Sequence, residues 1–235
     1  MVYGSAVPTL TYTAKGFVNN DPASLLTGSL GTTATSASSV GSYAFTTGTL
    51  SAGGNYTVIL ASNSPTFSVT PALLTVTANN VTIIQGEAIP TFTVSYNGFV
   101  LGENSGVLGG VLTFNTAATS SSPPGNYDII PSGLTSNNYD ITFVKGTLTI
   151  LSYSQATTNF LVQVDTAGLD QGTQSSLDAQ LLAAIAYFNV GDTTDAVSQL
   201  EAFINHVSAQ SGKKIVVTLA NAWIADAEQI IKAVG

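Results

Sequence analysis

Few side chains in this sequence could do chemistry. His206 is the only histidine, so a Ser-His-Asp arrangement or a histidine-based metal site would have to be built around it. It lies between Asn205 and Val207, beside an apolar stripe of helical period and with no nucleophile motif nearby. That position predicts a helix-packing or surface histidine. There is no cysteine, which excludes a disulfide framework, a thiolate metal site and a cysteine nucleophile. Ser211-Gly212-Lys213-Lys214 fits the S-x-x-K spacing in which a lysine works on a serine nucleophile. That chemistry needs the serine at a helix start, whereas here the residues fall at a predicted helix end, where capping explains them. Gly53-Gly54 and Gly109-Gly110 lack the Gly-Lys-Ser/Thr ending of a phosphate loop and read as turns. Calcium takes clustered oxygen ligands. Asp165, Asp170, Asp178, Asp192 and Asp195 are concentrated toward the C-terminus but do not follow the spacing of a calcium loop, so capping and surface charge account for them. Asn55-Tyr56-Thr57 and Asn80-Val81-Thr82 match the N-glycosylation pattern. Aromatics can stack on sugars, but Tyr3, Tyr12, Phe17, Tyr56, Phe99 and Tyr139 recur between repeats, which predicts core positions, and Trp223 falls on a helical stripe. The residues therefore predict no catalytic group, no cofactor-binding residue and no metal ligand.

The elements that would position these residues are of two kinds. Only 8% of residues are charged, against roughly 25% in an average chain, while 44% are hydrophobic. Thr, Ser, Asn and Gly replace the missing charge. Net charge is −8, arginine is absent and the five lysines are scattered. Phosphate neutralisation needs clustered cations, so nucleic acid is excluded as a partner and anionic membrane surfaces are disfavoured. No run approaches the roughly 18–20 apolar residues of a membrane span, and no signal peptide is visible. Met1 leads at once into Val2-Tyr3-Gly4, which reads as the interior of a module and predicts an excised piece whose targeting signals lie elsewhere.

An internal repeat dominates. Gly4-Ser5-Ala6-Val7-Pro8-Thr9-Leu10-Thr11 matches Gly86-Glu87-Ala88-Ile89-Pro90-Thr91-Phe92-Thr93, and Gly16-Phe17-Val18 matches Gly98-Phe99-Val100 at the same offset. Asn55-Tyr56 meets Asn138-Tyr139, and Leu74-Thr75-Val76 is matched to Leu148-Thr149-Ile150, which implies a longer connection before the last strand of repeat 1. Alternation of polar and apolar residues over Thr9–Thr13, Thr91–Ser95, Thr66–Thr70 and Leu74–Ala78 predicts half-buried strands. Near Leu151 the period changes. Leu177, Leu181, Ile185 and Phe188 form one helical stripe. Val197, Leu200, Ile204 and Val207, with Phe203, form another, and Leu219, Trp223, Ala227, Ile230 and Val234 a third. Phe160, Leu161 and Val164 mark a shorter first helix. Asp192 or Thr193 is expected to cap the helix after Gly191, and Gly212 to end the next. The fold class expected is multidomain: two tandem all-β sandwich-like modules, residues 1–76 and 77–151, then a small all-α bundle, 152–235, with Ser152-Tyr153-Ser154 as junction. A short passage through Leu73–Asn80 would make the pair of modules a rod.

The repeats resemble MBG domains (mostly β, glycine-rich) of the YGX type. Tyr3-Gly4 with Pro8-Thr9-Leu10-Thr11-Tyr12, Gly16-Phe17-Val18-Asn19, the Leu50–Tyr56 run and Leu74–Asn80 carry the resemblance, and Gln85 departs from it where the family favours Tyr. The likeness implies tandem arrays in large bacterial surface or secreted proteins, often adhesin-like, without enzyme activity. The remainder resembles a FIMAH-type helical domain of bacterial extracellular proteins, through Gly191-Asp192-Thr193-Thr194, Gln199–Val207 and Gly212-Lys213-Lys214. The expectation is a non-catalytic structural or adhesive segment at the bacterial cell surface, a stalk or matrix module able to self-assemble. Its expected partners are neighbouring copies or other surface proteins and glycans. The alternative is a pair of carbohydrate-binding accessory modules of a secreted enzyme.

Overall fold

The computed structural model describes residues 1–235. Eleven strands precede four helices: β1 (Gly31–Thr32), β2 (Gly41–Tyr43), β3 (Phe45–Thr46), β4 (Phe67–Val69), β5 (Ala72–Ala78), β6 (Val81–Ile84), β7 (Val94–Asn97), β8 (Gly109–Asn115), β9 (Gly125–Thr135), β10 (Tyr139–Val144) and β11 (Gly146–Leu151), then α1 (Tyr153–Asp165), α2 (Gln171–Asn189), α3 (Thr193–Gln210) and α4 (Val217–Val234). The layout is the expected one, β-rich modules followed by a helical bundle. Contacts divide the chain into two compact units. The first comprises Met1–Thr77, Val94–Thr113 and Pro131–Val144, and the second Ala78–Thr93, Phe114–Ile130 and Lys145–Gly235. Sequence repeats and compact units are thus cut differently, because repeat 2 contributes segments to both.

In the first unit β5 lies between β10 and β7. β10 runs parallel to it, with Tyr139 opposite Ala72 and Val144 opposite Thr77. The sequence of β5 explains its place. Ala72, Leu74, Val76 and Ala78 are buried on one face, while Leu73 is 73% exposed on the other. Nearby, β2 and β4 pair antiparallel, Gly41 with Val69 and Tyr43 with Phe67. Tyr3, Phe67, Val69, Leu74, Val76 and Tyr139 share one core.

In the second unit β11 is parallel to β6 and antiparallel to β9. The β9–β11 register sets Tyr127 against Leu148 and Gly125 against Ile150. This is the Gly41–Val69 and Tyr43–Phe67 pattern over again, and Tyr43 and Tyr127 each donate a hydroxyl to a carbonyl four residues back, on Ser39 and Pro123. The structural counterpart of Leu148-Thr149-Ile150 is therefore Phe67-Ser68-Val69. The sequence match to Leu74-Thr75-Val76 is corrected, because alternating Thr and aliphatic residues serve equally in two different strands. The expected strand over Thr9–Thr13 is also absent, and only Val94 and Ser95 of the expected Thr91–Ser95 strand fall in one, β7, which runs on to Asn97. Alternation makes a segment fit for a sheet, but a ladder also needs a neighbour.

The helices form one core in which Phe160, Val164, Leu177, Leu181, Leu200, Phe203, Val207, Trp223 and Ile230 are buried, joined by Ile84 of β6. Each large apolar side chain so buried contributes about 1.5–3 kcal/mol. The stripes are as expected except that Ala184, Ala196, Ala220 and Ala233 take inward places, while Ile185, Phe188, Val197, Ile204, Leu219 and Val234 are only half-buried. Small side chains at those places let helix axes approach closely. No linker separates strand from helix. Ser152 follows β11 directly and forms a capping box, accepting from Gln155 N at 3.1 Å while its own N–H donates to Gln155 Oε1 at 2.9 Å. The expected junction is thus the first turn of α1.

Candidate functional site

The recurrent aromatics form two matched clamps. In repeat 2, Tyr139 is 3% exposed. Its hydroxyl accepts from Val100 N at 3.1 Å and donates to Glu103 Oε2 at 2.5 Å, and Phe99 stands edge-on to its ring at 5.4 Å. Tyr3 donates to the other oxygen, Glu103 Oε1, at 2.8 Å and meets the Tyr139 ring edge-on at 5.7 Å. In repeat 1, Tyr56 accepts from Val18 N at 3.1 Å, donates to Asp21 Oδ2 at 2.7 Å, and is met edge-on by Phe17 at 5.4 Å. Hydrogen bonding to the Glu103 carboxylate and burial push the Tyr3 hydroxyl up in pKa, and burial followed by Glu103 does the same to Tyr139. Both stay protonated donors, so the arrangement positions backbone and rings, with both oxygens of the Glu103 carboxylate taken up by the two hydroxyls. Asp21 and Glu103 were not singled out from the sequence. The available signal was an acid standing at the same step after Gly-Phe-Val in both repeats.

The other sequence candidates are dispersed. His206 is half-buried on α3. Ser211 is the C-cap residue of α3. Lys213 Nζ donates to Ala209 O at 3.0 Å, and Lys214 Nζ reaches Asp170 Oδ1 at 3.3 Å, so the S-x-x-K residues close a helix end. Asp170 caps α2, accepting from Thr173 N at 3.1 Å and Thr173 Oγ1 at 2.7 Å. The Thr173 bonds, with Lys214 behind them, lower its pKa to about 2. Asp192 caps α3 through Asp195 N at 3.0 Å. Asp165 and Asp178 share Gln174 Nε2, at 3.0 and 2.6 Å, and Asp178 is pushed up by burial and by the neighbouring Asp165. No group of three or more His, Cys, Asp or Glu side chains gathers in metal-binding geometry. Asn80 Oδ1 accepts from Thr147 N at 2.8 Å. Tyr12 is 42% exposed, so it is not the core residue its recurrence predicts.

One depression in the second unit, of about 220 Å³, is lined by Ile84, Asn159, Gln163, Asp226, Gln229 and Ile230 among others. Burial raises the pKa of Asp226. It is the only ionisable side chain in the lining. The place can accept hydrogen bonds from a polar group but holds no acid/base pair.

No helix is long and apolar enough to cross a membrane. No curated protein and no solved structure matches the chain. The family model described as MBG domain (YGX type) matches twice, over residues 1–66 and 74–149. The second match begins inside β5, and neither reaches the helices. With both clamps and the Tyr3-Gly4 start inside the matched residues, this chain belongs to the MBG domain (YGX type) family.

Proposed function

We propose that the chain is a non-catalytic structural or adhesive segment of a bacterial cell-surface or secreted protein, a stalk or matrix module that joins neighbouring copies or other surface proteins and glycans. Modules of this family occur in bacterial surface proteins and are of a non-catalytic type. The observation that carries the reading is the use made of the repeated polar aromatics. Tyr56 and Tyr139 spend their hydroxyls on a carboxylate and backbone within their own repeats, and Tyr3 of repeat 1 spends its hydroxyl on Glu103 of repeat 2, so the repeated residues build scaffold. A surface of Thr, Ser and Asn with 8% charged residues offers few charges to oppose contact between sheet edges. On this reading the four helices are a FIMAH-type module that docks a partner. Sedimentation velocity over a wide concentration range, with negative-stain imaging of the same samples, tests it. Ordered oligomers or filaments are expected. A strictly monomeric protein at high concentration overturns self-assembly. Glycan-array binding abolished by Tyr12→Ala would replace the stalk reading with carbohydrate binding.

A further inference from the structure

The two repeats differ at one place where their side chains agree. In repeat 2 the strand β5 fills a groove between β7 and β10. Its backbone passes directly over Gly98, where a Cβ would stand 2.3 Å from Leu73 O, and the Tyr139 clamp closes one end. Repeat 1 carries the counterparts of both walls in its sequence. Tyr12–Lys15 stands for β7, Gly16-Phe17-Val18 for Gly98-Phe99-Val100, Asp21 for Glu103, and Tyr56–Ala61 for β10. Its clamp is already set, with the same 3.1 Å bond from the valine N–H to the tyrosine and the same 5.4 Å ring contact. Val58 and Leu60 are half-buried and Ile59 between them is exposed, the pattern of Ile141, Thr142 and Phe143 in β10. The middle strand is missing. Tyr12–Lys15 and Tyr56–Leu60 belong to no sheet and make no backbone–backbone hydrogen bond. Gly16 keeps a left-handed φ of 98°, yet a Cβ there would meet nothing within 4 Å. Ile59 is 80% exposed.

We infer that this groove binds the linking strand of another MBG module. The occupant is a segment of alternating aliphatic and threonine residues, parallel to Tyr56–Ala61 and passing over Gly16. Repeat 2 supplies the template and the register. In that template Leu74 and Val76, 1% and 0% exposed, face the core, so the occupant presents aliphatic residues at those two places. The incoming module also brings a Tyr-Gly pair. Tyr3 donates to Glu103, and a Cβ on Gly4 would collide with the Val100 side chain at 2.4 Å, so only glycine fits there. At the matching place in repeat 1, Val18 is 58% exposed and Asp21 Oδ1 accepts no hydrogen bond, which leaves a seat and an acceptor. A folded second copy of this chain does not supply the strand, because its own β5 is held between β7 and β10. Backbone groups bound on both sides give such a strand its affinity, and alternate side chains its specificity.

The inference rests on the reading of the chain as one link in an array of modules, but its test is separate. A peptide of residues 71–80, capped at both ends, is added to the full chain at millimolar concentration, and amide hydrogen exchange is followed. Slowed exchange at Tyr56–Leu60 and Tyr12–Lys15, unmoved by a scrambled peptide and lost in Gly16→Asn, is the expected result. Asparagine tolerates a left-handed backbone and stands there in open space, so the variant blocks the strand without disturbing the walls. As a second measurement, residues 71–82 are fused directly ahead of Met1, which should protect the same amides without peptide. Absence of protection in both experiments overturns the inference, as does peptide binding that survives Gly16→Asn. Either failure leaves the sedimentation result standing, and a monomeric protein in sedimentation leaves this groove standing.

Discussion

The tyrosine clamps and the Asp170 cap turn polar side chains to structural use, and each can be weighed by one substitution. Tyr139→Phe removes an acceptor from Val100 N–H and a donor from Glu103 in a place only 3% exposed. A buried group left without its partner costs about 1–3 kcal/mol, so urea unfolding should show a loss of that size. Tyr56→Phe deletes the same bonds at a half-exposed ring, where water can replace them, and should cost less than Tyr139→Phe. Equal losses would mean that the two clamps are equally closed. Asp170 makes a pH prediction. Its folded pKa of about 2 lies below the ordinary 3.8, so its contribution is complete above the ordinary value and is lost as pH falls toward 2. Asp170→Asn should therefore lower the melting temperature at pH 7, followed by helical ellipticity, and the gap from the parent should close at pH 2. A gap of unchanged size at low pH would show that the charge on the cap is immaterial.

At the scale of elements, what the sequence reveals depends on whether an element carries its own hydrogen bonds. A helix does. The four helices and their caps at Asp192 and near Gly212 are readable from period and punctuation. The error there is small and systematic, since alanines count for little in an apolar stripe but sit innermost. Leu181→Ala, at 0% exposure, should cost about 2–5 kcal/mol. Ile185→Ala, half-buried one turn on, should cost roughly half that or less. Equal costs would restore the stripe through Ile185. A strand depends on another segment, so strand pairing is not legible locally. Thr9–Thr13 alternates as well as Leu74–Ala78 does, but only the latter has neighbours, in β7 and β10. The same limit explains the mistaken partner for Leu148-Thr149-Ile150. Several strands here share one Thr–aliphatic text, and only register against β2 or β9 distinguishes them. The clamp residues Tyr56 and Tyr139 are visible as repeats. The acids Asp21 and Glu103 also recur, at one step after Gly-Phe-Val, but their meeting with the tyrosines is long-range in sequence and is not legible there.

For the whole molecule the governing quantity is charge. A net −8 is carried by 13 acids against five lysines, and two of those lysines, Lys145 and Lys214, are already set against Asp128 and Asp170. Mutual repulsion between copies at neutral pH is modest for a chain of this length. That repulsion vanishes near the isoelectric point of about 4.1. Contacts between Thr- and Ser-rich sheet edges, which use backbone groups rather than ions, should survive there unopposed. Self-association measured by sedimentation velocity at fixed concentration and low ionic strength should therefore rise as pH falls from 7 toward about 4. Added salt at pH 7 should act in the same direction, because screening shortens the reach of the same repulsion to about 10 Å at 0.1 M. The two arms separate the forces that hold copies together. Assembly through ion pairs would weaken in salt, whereas assembly through strand edges would strengthen, and association that fell in salt at pH 7 would remove sheet edges as the contact surface.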